Sequence, residues 1–215
     1  LVHKVDFVIQ LGFNWSVVKR MARFSFANYI TEFFERAPRL VLPLIITNLI
    51  GPEQTAYYFI SMSLAGFIFM IPEAISSSYY AEGSADERNL KTNTMKVLKA
   101  YAFTLVPPIV IIGLFGNYLL LIFGKEYSTE GWQLLQLFVV SGIPVAINAM
   151  FTIIVRVKHL IKSLVINNGL GAATIIILTY TLVNGSILGV GWAWLAGQLI
   201  MNVLYLLAIW RYKSS

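Results

Sequence analysis

Four charged residues stand within eight positions of an otherwise apolar stretch, TEFFERAPRL: Glu32, Glu35, Arg36 and Arg39. At about 100° per residue in a helix, they fall within an arc of roughly 100°, on one face. Phe33, Phe34, Ala37 and Val41 point elsewhere. Glu32 with Arg36 and Glu35 with Arg39 are both i,i+4 pairs with the acid first, the favourable order. Two kinds of chemistry fit this pattern. The pairs can neutralise themselves and act as struts between helices. Alternatively, the stripe lines a polar cavity, where the planar guanidinium fork suits a phosphate and the carboxylates suit a cation or a proton. Against lipid, each charge would cost at least ~2.5–3.5 kcal/mol and the four together roughly 10–14 kcal/mol, so the stripe is expected to face protein or water.

A fifth candidate is Glu73, which follows Pro72 in MIPEAISSSYY. Proline removes a backbone donor and bends a helix, and Ser76, Ser77 and Ser78 are placed to satisfy freed carbonyls. Glu73 then reads either as a residue beside a kink near a polar mouth or as a gating carboxylate. Asn28, Asn148, Gln198 and Asn202 are weaker polar points, best read as interhelical hydrogen-bond glue. The chain has no cysteine, and its two histidines are His3 and His159. No zinc, nucleophile-elbow, phosphate-loop or dinucleotide motif occurs, so neither cofactor, metal site nor enzyme activity is expected.

The elements that position these residues follow from composition. Of the 215 residues, 58% are hydrophobic and 12% are charged, and the mean hydropathy is +0.73. Neither a single soluble domain nor a disordered chain accommodates this, and an all-α integral membrane protein does. Six apolar stretches of about 22–27 residues lie near 24–48, 56–80, 97–123, 132–155, 162–183 and 187–210. At ~1.5 Å per residue each spans roughly 33–40 Å, enough to cross a hydrocarbon core of about 30 Å. Residues 1–23 read as an interfacial or linker segment, 24–210 as a six-helix bundle and 211–215 as a cytoplasmic tail.

The net charge of +6 would suggest nucleic acid in a soluble protein, but its distribution argues otherwise. Thirteen Lys and Arg fall in alternate connectors and at the two termini, and one, Lys125, falls on the other side. By the positive-inside rule both termini are cytoplasmic, with an even number of spans, and no nucleic-acid partner is expected. Small residues at four-residue spacing, Gly189, Ala193 and Gly197, with Gly169 and Ala173 one span earlier, predict close helix packing.

The stretches LPLIITNLIGPEQTAYYFISMSLAGFIFMIPEAISSSYYAE, LLLIFGKEYSTEGWQLLQLFVVSGIPVAI and LGVGWAWLAGQ resemble, in order and spacing, the polysaccharide flippases of the multidrug/oligosaccharidyl-lipid/polysaccharide exporter superfamily. The resemblance implies a fold of two six-helix lobes around a central cavity, with this chain as the second lobe alone. Leu1 in place of a start Met agrees with that expectation of a piece of a longer protein. It also implies a function: flipping lipid-linked oligosaccharide or polysaccharide repeat units across the cytoplasmic membrane by alternating access. The implied partners are a polyprenyl diphosphate-linked sugar, membrane lipids and the missing N-terminal lobe. Carried onto this sequence, diphosphate binding falls to Arg36 and Arg39, and Glu32, Glu35 and Glu73 become cation or proton partners. Arg36→Ala or Arg39→Ala is then expected to abolish transport without affecting insertion. The alternatives are a multidrug or small-cation exporter of the same superfamily, a non-transporting scaffold subunit, and a membrane glycosyltransferase acting through Glu126 and Glu130.

Overall fold

The computed structural model describes residues 15–85, 90–158, 160–183 and 185–214. The first part of the interfacial segment (residues 1–14), His3, Arg88 and His159 lie outside the described residues. All regular structure among the described residues is helical: α1 (Trp15–Ile50), α2 (Pro52–Ala85), α3 (Leu90–Leu121), α4 (Lys125–Glu130), α5 (Trp132–Val157), α6 (Ile161–Leu182) and α7 (Leu188–Ser214).

Five of these helices are long and apolar enough to cross a membrane: Pro52–Ser78, Met95–Leu121, Trp132–Val157, Ile161–Leu182 and Leu188–Tyr212. Their outward faces carry large bare apolar side chains, Phe103 (83% exposed), Phe67 (66%) and Leu114 (64%) among them. Water would penalise such a surface by about 25 cal/mol per Å², whereas acyl chains do not. The chain is a multi-pass, all-helical membrane protein. The first helix differs from these five. Its 36 residues extend roughly 54 Å at ~1.5 Å each, but it holds Glu32, Glu35, Arg36 and Arg39 in its middle. Residues 15–23, read from the sequence as part of an interfacial segment, continue into this helix without a break.

Packing centres on α5, where 14 of 26 residues are buried, and which meets α2, α3 and α7. On the other side α1 packs on α6 and α2, and α6 on α7. The connectors are short, so packed neighbours in sequence run antiparallel. Between α1 and α2 the only linking residue is Gly51, whose φ of 99° closes the turn while its N–H reaches the Ile46 carbonyl at 3.1 Å. The apolar stretches 24–48 and 56–80 leave a longer connector in the sequence, but residues 49, 50 and 52–55 are absorbed into the two helices, along with polar Thr47 and Asn48. Thr47 Oγ1 and Asn48 Nδ2 donate to the carbonyls of Pro43 and Leu44, each at 2.8 Å, and so hide their polarity inside their own helix. The short α4, not anticipated, occupies the connector between α3 and α5 and sets Tyr127 edge-on to Tyr57, with centroids 5.1 Å apart.

Close packing of α6 and α7 follows the small-residue stripe. A Cβ at Gly189 would run into the Leu182 carbonyl, and one at Gly197 into Ile175. Gly169 serves a different pair, leaving room on α6 for the Phe34 ring of α1.

Candidate functional site

On α1, Thr31, Glu35, Pro38, Leu42 and Ile46 follow one another at spacings of four, three, four and four. This is the stripe turned toward the bundle: Thr31, Leu42 and Ile46 are fully buried. Glu35 therefore points inward and Arg39 lies on the inner edge. Glu32 and Arg36 lie further round the helix and point out. They form an ion pair at 3.7 Å, with side chains 52% and 74% exposed respectively.

Inside, five helices enclose a cavity of about 340 Å³. Its wall takes Glu35 and Arg39 from α1, Glu73 from α2, Asn148, Thr152 and Arg156 from α5, Asn168 from α6, and Trp194 and Gln198 from α7. Glu35, Arg39 and Glu73 keep exposed surface there, so the cavity is open on one side. Of the five residues singled out in the sequence, Glu35, Arg39 and Glu73 come together, and Glu32 and Arg36 stay apart from them.

The expected Glu35–Arg39 pair gives way to other partners. Asn168 Nδ2 donates to Glu35 Oε1 at 3.0 Å. The same amide is fixed in orientation from behind, because Tyr205 Oη donates to Asn168 Oδ1 at 2.8 Å. Thr152 Oγ1 in turn donates to Tyr205 Oη at 3.2 Å. One chain of hydrogen bonds thus links α5, α7, α6 and α1 and holds the Glu35 carboxylate at the cavity wall. Arg39 lies over the face of Trp194, 6.0 Å from the ring centroid, at the outer range of a cation–π contact. Trp194 is itself stacked on Phe69, with centroids 6.1 Å apart.

Asn148 Nδ2 donates to the backbone carbonyl of Gln198 at 3.0 Å and to its Oε1 at 2.8 Å, the interhelical glue expected of these two amides. Near Glu73, Ser76 is within hydrogen-bond distance of the Tyr101 hydroxyl of α3 (2.5 Å), which also donates to the Pro72 carbonyl at 3.5 Å. Tyr101 thus bridges from α3 to both Ser76 and the Pro72 carbonyl of α2.

Arg156 falls just beyond the 132–155 stretch and so reads from the sequence as a connector cation, yet it lies in the last turn of α5 and lines the cavity. A signal for it existed: Asn148, Thr152 and Arg156 recur every four residues on one face of an apolar helix. Its Nε, Trp194 Nε1 and Asn148 Oδ1 are buried without a hydrogen-bond partner. Leaving such a group unmatched costs about 1–3 kcal/mol, so the cavity wall is built to receive polar atoms. With two acids and two arginines it is formally neutral, and it can hold an anion near Arg39 and Arg156 or a cation near Glu35 and Glu73. Among the described residues no group of His, Cys, Asp and Glu is arranged to hold a metal ion.

In comparison with known proteins, a family model described as polysaccharide biosynthesis protein matches residues 1–131. No curated protein and no solved structure matches the chain.

Proposed function

Because the chain belongs to the polysaccharide biosynthesis protein family, we propose that it is one lobe of a membrane transporter that moves polyprenyl diphosphate-linked oligosaccharide between leaflets by alternating access. The observation that carries this reading is the five-helix cavity whose wall brings Arg39 and Arg156 together with Glu35 and Glu73. A diphosphate is an acceptor-only dianion or more, and two guanidinium groups in a partly dehydrated cavity match it in charge and hydrogen bonding. The sugar-bearing substrate agrees with the family description. In this reading the charged groups of the cavity serve recognition, and the chain's role is transport.

The outward Glu32–Arg36 pair supports a second lobe. A charged pair midway along a membrane helix is costly against lipid, and a protein partner or a water-filled cleft relieves that cost. In this reading α1 is the sixth span and lies at the lobe interface, and alternate connectors rich in Lys and Arg put both termini in the cytoplasm. The lobes rock about the cavity to open it to each side in turn.

The test is a leaflet assay of labelled lipid-linked oligosaccharide in proteoliposomes containing the complete transporter. Arg39→Ala with Arg156→Ala should abolish flipping while the protein still inserts. Normal flipping by that variant would refute the reading. A second reading, export of organic cations, is favoured by Glu73, which lines the cavity and has no ion pair among the described residues. Competition separates the two: a quaternary ammonium compound displaces substrate only in the second.

A further inference from the structure

A second concavity lies away from the cavity just described, between the N-terminal part of α1 and the first turns of α6. Its volume is about 1250 Å³. Met21, Ala27, Val165 and Ile166 give it apolar walls, and Arg23 and Lys162, one from each helix, supply its charge. Among the described residues no acidic side chain lines it. Both cations are exposed, and among the described residues neither has an acidic partner within ion-pair distance.

We propose that this groove binds an anionic phospholipid, with its phosphate between Arg23 and Lys162 and an acyl chain along the apolar trough. Charge complementarity selects this occupant. Two cations at the mouth of an apolar channel match a molecule that is negative at one end and hydrocarbon at the other. Two cations near an anionic leaflet attract its lipids additively. Other occupants fit less well. A second copy of the chain would bring the same two cations to the contact. Residues 1–14 carry Lys4 and Asp6, formally balanced, and so offer no net negative charge to the pair. The serine hydroxyls of Ser25 and Ser163 add donors beside the charges. The inference needs only that this end of the bundle reach the headgroup layer, and is independent of whether the protein flips lipid-linked sugars.

The test is native mass spectrometry of the detergent-purified full chain, titrated with dioleoyl phosphatidylglycerol or with dioleoyl phosphatidylcholine, which has the same acyl chains. One phosphatidylglycerol should be retained in preference to phosphatidylcholine by about thirtyfold, the contribution of two cations. The R23Q/K162Q variant should bring the ratio close to one. K96Q/K99Q, which removes equal charge from exposed positions of α3, should leave it unchanged. Ile166→Trp, which fills the trough and spares the cations, should weaken retention of both lipids and covers the case in which R23Q/K162Q fails to fold. Equal retention of the two lipids by the wild type would overturn the proposal. So would a K96Q/K99Q loss as large as that of R23Q/K162Q, or undiminished retention by Ile166→Trp. Preference for phosphatidylglycerol that emerges only after deletion of residues 1–14 would assign the groove to the chain's own N-terminal segment and overturn it as well.

Discussion

Asn168 is the hinge of the hydrogen-bond chain that holds Glu35, and its removal gives a sharp measurement. Asn168→Ala deletes the 3.0 Å bond to Glu35 Oε1 and the 2.8 Å bond from Tyr205 Oη. A bond to a charged acceptor contributes about 1.5–3 kcal/mol and a neutral one about 0.5–1.5 kcal/mol in soluble proteins. Inside membrane bundles, double-mutant cycles average about 0.6 kcal/mol and reach about 1.7 kcal/mol, because the unfolded helices find other partners. The single variant should therefore lose about 1–3 kcal/mol, with Tyr205 left bonded only to Thr152. The decisive quantity is the coupling between Asn168→Ala and Glu35→Ala, read from unfolding of the purified protein in mixed micelles by an ionic detergent. A coupling of about 1–2 kcal/mol is expected. Independent sites add to within about 0.3–0.5 kcal/mol. Coupling no larger than that would mean that the amide does not position the carboxylate, and the account of the cavity wall would fall with it.

Other consequences follow from the same geometry. Removing either cavity arginine, Arg39 or Arg156, should lower transport by at least roughly thirtyfold, from about 2 kcal/mol of lost binding to a buried anion. Arg36→Ala should affect transport less and instead weaken association with a second lobe, measured by co-purification. Gly189→Ala should destabilise the α6–α7 pair by about 1–3 kcal/mol, since its methyl meets the Leu182 backbone. Gly66→Ala, with nothing within 4 Å of the added carbon, should be neutral or stabilising by up to ~1 kcal/mol in the same unfolding assay. Asn148→Ala leaves both acceptors of Gln198 without their donor and should cost about 1–2 kcal/mol, again by detergent unfolding.

Much of the architecture was legible in the chain because it depends on short-range properties. Long apolar runs and sparse charge impose a helical membrane protein wherever the residues sit, since a backbone in hydrocarbon must satisfy its own hydrogen bonds. The small residues at Gly189 and Gly197 marked a close contact for an equally local reason, as only a missing side chain lets two backbones approach. The helical periodicity likewise put Glu32, Glu35, Arg36 and Arg39 on one side of α1. The short α4 left no comparable trace, for six polar residues carry too little pattern to distinguish one helical turn from a loop.

Which part of that charged side turns inward was not in the sequence. From Leu40 to Ile46 the helix is apolar all round, so periodicity offers no preferred face there, and the choice falls to docking. Phe34 seats against Gly169 of α6, and Leu42 and Ile46 sink into the core, rotating Glu35 and Arg39 toward the cavity and Glu32 with Arg36 away from it. The same holds for Arg156, whose place at a helix end suggested a connector until α1 and α2 closed around it. Composition and spacing determine which residues can share a surface. The neighbours of that surface are set by contacts between helices far apart in the chain, and those exist only once the bundle has formed.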